Sequence, residues 1–268
     1  MKYPLVSYTK ARLAELFARP PYATGVALSG GGARGFAHVG VLQALHEARI
    51  HPDIVAGVSA GAVAAVFYAS GIPFDQMLKA FDSLKFNDFA ELSVPKDGFF
   101  KLDRFRKFLR DTIPYKRIED LPVKTVICAT DIDSGESVAF EEGPLPECVA
   151  ASCSIPIVFK PAVINGVKYV DGGLTHNLPA WAIRSRCRTL YGINVSPMVR
   201  QKSKGTLIDI ATKSFKLMAK NNAIHDMQIC DHVIELSDIA HYNIFNLNEI
   251  KSIYKAGYET TKRAITKS

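Results

Sequence analysis

Cysteine is sparse in this chain of 268 residues: five in all, an odd number, widely spaced at Cys128, Cys148, Cys153, Cys187 and Cys230, with no CxxC pair. That excludes the disulfide framework of a small secreted domain and leaves no zinc-ligand spacing. Long apolar runs are scarce too. One stretch, Ile54 to Ile72, runs without a charge, but glycine and serine interrupt it and a glycine-rich loop precedes it. It reads as a buried strand, turn and helix; a hydropathy window alone reads it as a membrane span. The N-terminus carries charge throughout and lacks the apolar core of a signal peptide. No internal repeat and no linker-like run occurs. Glycine and proline, 18 and 14, stand at ordinary levels, which excludes collagen-like and low-complexity chains. The chain is 22% charged against 48% hydrophobic, which excludes disorder. The net charge of +7 admits an anionic partner (nucleic acid, an anionic membrane or a phosphate-bearing substrate) without choosing among them. The densest basic cluster, Arg184, Arg186 and Arg188, reads first as a solvated helix end and second as an anion patch.

The pattern of what is present is α/β. Residues 1–21 read as a short arm and helix ending at Pro20-Pro21, followed by one domain over 22–268. Thr24–Ser29 is an apolar run of strand length, and Phe36–Arg49 follows with Val39, Leu42 and Leu45 at helical spacing. Asp53–Val58 is a second buried strand, and Ala60–Ser70 is a helix of small apolar residues. Strand, loop, helix, strand, turn, helix is the order of a parallel unit. Further strands are expected at Lys124–Thr130, Glu136–Phe140, Thr189–Val195 and His232–Leu236. The Asn165-Gly166 signature marks a hairpin between Val163-Ile164 and Val167–Val170, and a closing helix is expected at Leu247–Ile265. This amounts to a mostly parallel sheet of about six strands. Between Phe74 and Tyr115 the chain concentrates Phe81, Phe86, Phe89, Phe99, Phe100, Phe105 and Phe108, either as helices packed on the sheet or as the lid or wall of a site for an apolar substrate.

Chemistry concentrates at two loops. Gly57-Val58-Ser59-Ala60-Gly61 is G-x-S-x-G between an expected strand and an expected helix. A serine in a sharp elbow needs small neighbours, and the helix behind it aims free N–H groups and its positive dipole end at a developing oxyanion. Upstream, Gly30, Gly32 and Gly35 satisfy G-x-G-x-x-G after a strand. A dinucleotide site would want an acidic residue at the end of the second strand, where Ser59 stands, and no Lys-Ser/Thr follows to make a phosphate-binding P-loop. The other reading is a set of exposed N–H groups beside Ser59. For a base, Asp171 in Asp171-Gly172-Gly173 is either a turn former or a base, and His176, five residues on, is either a triad histidine or an unremarkable imidazole. Asp131 and Asp133 read as turn formers.

Four segments in one order carry a resemblance: GGGARG at 30–35, GVSAG at 57–61, Ala151-Ser152-Cys153-Ser154-Ile155-Pro156 with Phe159 and Pro161, and the DGG turn with Asn177-Leu178-Pro179. Together they resemble the patatin-like phospholipases, including bacterial members and neuropathy-target-esterase-like domains, over about Gly25 to Pro197; the remainder to 268 matches loosely. The resemblance implies a three-layer α/β/α fold and a Ser–Asp dyad, with Ser59 as nucleophile and Asp171 as base. It places Gly30, Gly31, Gly32 and Arg34 in the oxyanion-hole motif, with the Gly31 and Gly32 N–H groups on the oxyanion. It implies a phospholipid, lysophospholipid or other acyl-ester substrate, no metal or cofactor and no nucleic acid. A cytoplasmic location follows, with peripheral membrane contact helped by Lys202, Lys204, Lys213, Lys216 and Lys220 unless these simply form a solvated helix face. An aspartate with an ordinary pKa near 3.9 is a poor base, so Asp171 is expected to be buried beside Ser59. Two alternatives remain: a Ser59–Asp171–His176 triad esterase and a catalytically silent lipid-binding protein.

Overall fold

Apolar alternation along the first strand decides how the layers form. Val26 and Leu28 belong to one buried cluster, and Ala27 between them belongs to another. The period of two puts these clusters on opposite faces of a sheet covered on both sides. The computed structural model describes residues 20–81, 86–92, 98–197 and 205–266. The arm expected over 1–21 lies outside these residues except for Pro20 and Pro21, as do Lys202 and Lys204.

The chain opens with β1 (Tyr22–Leu28), α1 (Phe36–Glu47), β2 (Ile54–Val58) and α2 (Ala60–Ala69). The aromatic segment follows as α3 (Phe74–Lys79), α4 (Phe86–Phe89), a small antiparallel ribbon of β3 (Glu91–Leu92) and β4 (Phe100–Lys101), and α5 (Asp103–Thr112). Then come β5 (Lys124–Asp131), β6 (Ser137–Phe140), α6 (Leu145–Ser152), and the hairpin of β7 (Ala162–Ile164) and β8 (Val167–Asp171). The remaining elements are β9 (Cys187–Asn194), α7 (Leu207–Gln228), β10 (His232–Glu235) and α8 (Ile250–Thr266).

The main sheet has eight strands in the order β10-β9-β1-β2-β5-β8-β7, with β6 also paired to β5. The run from β10 to β5 is parallel, and β6, β7 and β8 are antiparallel. The sheet exceeds the expected count of about six because the Glu136–Phe140 strand and both arms of the Asn165-Gly166 hairpin all join it, as β6, β7 and β8. The larger layer packs α1, α2, α6 and α8 on one face; the 178–190 segment and Ala223 of α7 cover the other. The charge-free stretch from Ile54 is β2 followed by α2, and among the described residues no helix is long and apolar enough to cross a membrane. Because β1 and β2 are parallel neighbours with Leu28 opposite Gly57, their following loops emerge side by side at one edge of the sheet.

Candidate active site

Ser59 immediately follows β2 and caps α2 with φ 54° and ψ −122°, a left-handed conformation that a residue with a Cβ adopts only under constraint. The constraint comes from its neighbours. A Cβ on Gly61 would lie 2.1 Å from the Leu28 carbonyl oxygen, and one on Gly57 would lie 2.4 Å from that of Gly61. The G-x-S-x-G spacing is therefore a packing requirement of a tight strand-to-helix elbow. The Ser59 N–H donates to Ser152 Oγ at 2.8 Å, and that hydroxyl donates to the Cys128 carbonyl at 2.6 Å.

Asp171 closes β8 and is 1% exposed. Its N–H donates to the Ser154 carbonyl at 2.9 Å, and its Oδ1 accepts the Gly173 N–H at 2.8 Å. Oδ2 is buried with no hydrogen-bond partner among the described residues. Burial pushes the carboxyl pKa up to about 7, against the opposing pull of the nearby Ser59 hydroxyl and the Gly173 N–H. The serine is thus close enough to act on the carboxylate charge, yet no well-formed hydrogen bond joins the two. Catalytic contacts are commonly loose before substrate binds.

The glycine loop divides its N–H groups. That of Gly30 donates to the Asn177 carbonyl at 3.0 Å, whereas those of Gly31 and Gly32 meet no acceptor among the described residues. Gly32 has φ +56°, and a Cβ there would lie 2.4 Å from the Ile244 carbonyl oxygen, so only glycine fits.

Two clefts meet at Ser59. One, about 980 Å³ including its open mouth, is lined by Phe36, Phe67, Met77, Phe81, Phe89, Leu102, Phe105 and Phe159 among others, and carries no charged side chain. The aromatic segment thus both packs on the sheet and walls this cleft; the side chain of Phe86 lies outside the described set. The other cleft, about 790 Å³, is polar and is lined by the three glycines, Ser59, Asp171, Asn177, Arg34, Lys213 and Lys216 among others.

The sequence model described as patatin-like phospholipase matches residues 26–183, more than half the chain. The chain belongs to the patatin-like phospholipase family. It is 35% identical over 156 residues to an NTE family protein of Mycobacterium tuberculosis, covering 58% of this chain and 43% of that one. It is 30% identical over 180 residues to lysophospholipase NTE1 of Saccharomyces cerevisiae, covering 65% of this chain and 11% of that one. The chain thus spans less than half the length of either relative. Among solved structures, VipD from Legionella pneumophila superposes with a TM-score of 0.62 at 15% identity, covering 93% of this chain and 68% of that one, a likeness of fold.

Within this patatin-like fold Arg34 is 6% exposed and its guanidinium donates to three carbonyls: Tyr242 at 3.0 Å, Pro197 at 3.0 Å and Ala240 at 2.6 Å. Burial lowers its pKa, and it has no carboxylate partner among the described residues. Its side chain therefore fastens the wall of the polar cleft. His38, which sequence reasoning passed over, is fully buried, and burial drops its pKa to about 4. The neutral ring donates from Nε2 to the Ser29 carbonyl at 2.8 Å, bracing the strand end from which the glycine loop leaves. His176 turns elsewhere. Its Nδ1 bonds to Asp226 Oδ2 at 2.6 Å, while Asp226 Oδ1 accepts the Trp181 N–H at 2.8 Å. That pairing leaves Asp171 and His176 without the hydrogen bond a triad needs. Among the described residues no group of three or more His, Cys, Asp or Glu side chains could hold a metal ion.

Proposed function

We propose that this protein is a serine lipid acyl hydrolase that works through a Ser59–Asp171 dyad and an acyl-enzyme. The observation that carries the reading is the buried Asp171 carboxyl, with a pKa near 7 and an unsatisfied Oδ2, beside a serine held in a strained elbow. An aspartate with its ordinary pKa would accept a proton too weakly; one near 7 suits a general base at neutral pH. Ser59 Oγ attacks the ester carbonyl carbon as its proton passes to Asp171, and the Gly31 and Gly32 N–H groups receive the oxyanion. The carbon–oxygen ester bond breaks and Asp171 returns the proton to the leaving alkoxide. Water then attacks the acyl-enzyme, gives a proton to Asp171, and releases the fatty acid as Ser59 regains its hydrogen. The charge-free cleft offers room for an acyl chain.

Peripheral contact with a phospholipid surface belongs to the same reading. Leu207, Ile210, Leu217, Met218 and Ile224 of α7 are all exposed. At about 100° per residue they fall within an arc of about 120° on the helix side away from buried Phe215 and Ala219. An exposed apolar face of this kind, with the exposed Lys220 at its flank, suits a lipid interface.

The direct test is hydrolysis of palmitoyl lysophospholipid by the wild type, Ser59→Ala and Asp171→Asn. The reading expects turnover by the wild type and a loss of about 1,000-fold or more in each variant. Turnover that survives in Asp171→Asn would remove the dyad.

A further inference from the structure

The geometry points to a phosphate subsite: Lys216, with Lys213, holds the phosphate of the lipid's leaving group in the polar cleft while the acyl chain occupies the apolar one. This rests on the acyl-hydrolase reading above and adds to it the side chain that recognises the leaving group. The two clefts share Ser59, Gly32, Ile155 and Ile244, so an ester carbonyl at Ser59 must send its acyl half and its alcohol half in different directions. The apolar cleft carries no charged side chain. The polar cleft carries three cations, Arg34, Lys213 and Lys216, against one carboxylate, Asp171.

The three cations are not equivalent. Arg34 is used up on three backbone carbonyls. Lys213 is paired with Asp209 at 3.7 Å. Lys216 is half-buried and has no ion-pair partner among the described residues. Burial and then the repulsion of Arg34 and Lys213 lower its pKa, against a smaller opposing pull from Asp209, which is itself paired with Lys213. Its position on α7 puts it beside Phe215, which is buried, rather than on the exposed apolar arc. Asn177, 2% exposed, adds a second sign of an absent acceptor, since its Nδ2 has no hydrogen-bond partner among the described residues. A half-buried ammonium repelled by two cations is relieved by an anion, and a phosphate is the anion that a glycerolipid supplies on the alcohol side of its ester bond. A neutral acylglycerol would leave that charge uncompensated.

The test compares kcat/KM for 1-palmitoyl-lysophosphatidylglycerol and 1-palmitoylglycerol in the wild type, Lys216→Gln, Lys216→Glu and Lys216→Arg. The exposed Lys251→Gln on α8, which lines neither cleft, serves as a control for loss of one lysine charge. The expected result is a fall of about 10- to 100-fold in the ratio of the two values for Lys216→Gln, mostly through KM, the worth of one charge-assisted contact. Lys216→Glu should fall further and Lys216→Arg should restore most of the ratio. Equal losses on both esters in Lys216→Gln would make the residue merely structural and overturn the subsite. Inorganic phosphate that competes equally against both esters would mark a free-phosphate site and also overturn it; competition against the lysophospholipid alone agrees with it. If the wild type hydrolyses neither ester and takes no fluorophosphonate on Ser59, the hydrolase reading itself fails, a result distinct from an unchanged ratio.

Discussion

Ser152 holds Ser59 by its backbone: the Ser152 hydroxyl accepts the Ser59 N–H at 2.8 Å and passes its own hydrogen to the Cys128 carbonyl at 2.6 Å. Two residues on, the Ser154 carbonyl accepts the Asp171 N–H at 2.9 Å. One short segment at the end of α6 therefore fixes both halves of the proposed dyad. Ser152 is fully buried, so Ser152→Ala leaves a buried donor and a buried acceptor unpaired. A loss of about 2–4 kcal/mol in stability is expected, together with a kcat lowered at least about tenfold and little change in KM. Urea unfolding and steady-state kinetics on one preparation check both; a variant with wild-type kcat would show that the brace does not position the nucleophile.

The raised pKa of Asp171 sets the pH dependence, and the two consequences run in opposite directions. The proposed base Asp171 must be ionised, so kcat/KM is expected to rise with pH through an apparent pKa of about 7. For stability, the folded-state pKa lies above the unfolded value of about 3.9, so between these values the folded state binds the extra proton and stability falls as pH rises. Asp171→Asn removes this cost. It is expected to raise the Tm by about 5 °C at pH 8, to change it little near pH 4, and to abolish turnover. A Tm gain of equal size at both pH values would contradict the burial account.

Strain at Ser59 makes a separate prediction. Ala keeps the Cβ and so keeps the unfavourable φ of 54°, whereas Gly relieves it. Ser59→Gly is expected to be more stable than Ser59→Ala by about 1 kcal/mol in chemical denaturation, both being inactive. The reverse order would mean that the elbow is not strained.

Arg34 is expected to matter to the fold as much as to the reaction. Arg34→Ala frees three carbonyls, and with them the 240–244 stretch whose Ile244 carbonyl receives the Ala33 N–H at 2.8 Å. A loss of about 3–5 kcal/mol follows, and Arg34→Lys should recover little of it because an ammonium lacks the guanidinium's fork of donors. Urea midpoints of the three proteins decide this; full rescue by lysine would contradict it.

Much of the fold was legible because the first half of the chain states it locally. Val26, Ala27 and Leu28 alternate, glycines mark both turns, and β1, α1, β2 and α2 fall within two residues of the boundaries the pattern implies. Ser59 and the glycine loop could be placed together because two parallel neighbours must end at one edge. The site's supports were not legible, since their partners lie far along the chain. Nothing near Arg34 foretells carbonyls at Pro197, Ala240 and Tyr242, and nothing near His176 foretells Asp226. Lys213 and Lys216 read as a solvated helix face because α7 shows no strong amphipathic pattern from which their inward turn could be read. Only the packing of Phe215 reveals which side meets the cleft.

The most direct measurement is the rate at which a long-chain fluorophosphonate labels Ser59, followed by peptide mass spectrometry from about pH 5 to pH 9 in the wild type and in Asp171→Asn. The account predicts an adduct on the Ser59 peptide of the wild type, forming faster as pH rises through about 7 and slowed by about 100-fold or more in Asp171→Asn. No adduct on the folded protein, or equal labelling of both proteins at every pH, would contradict it.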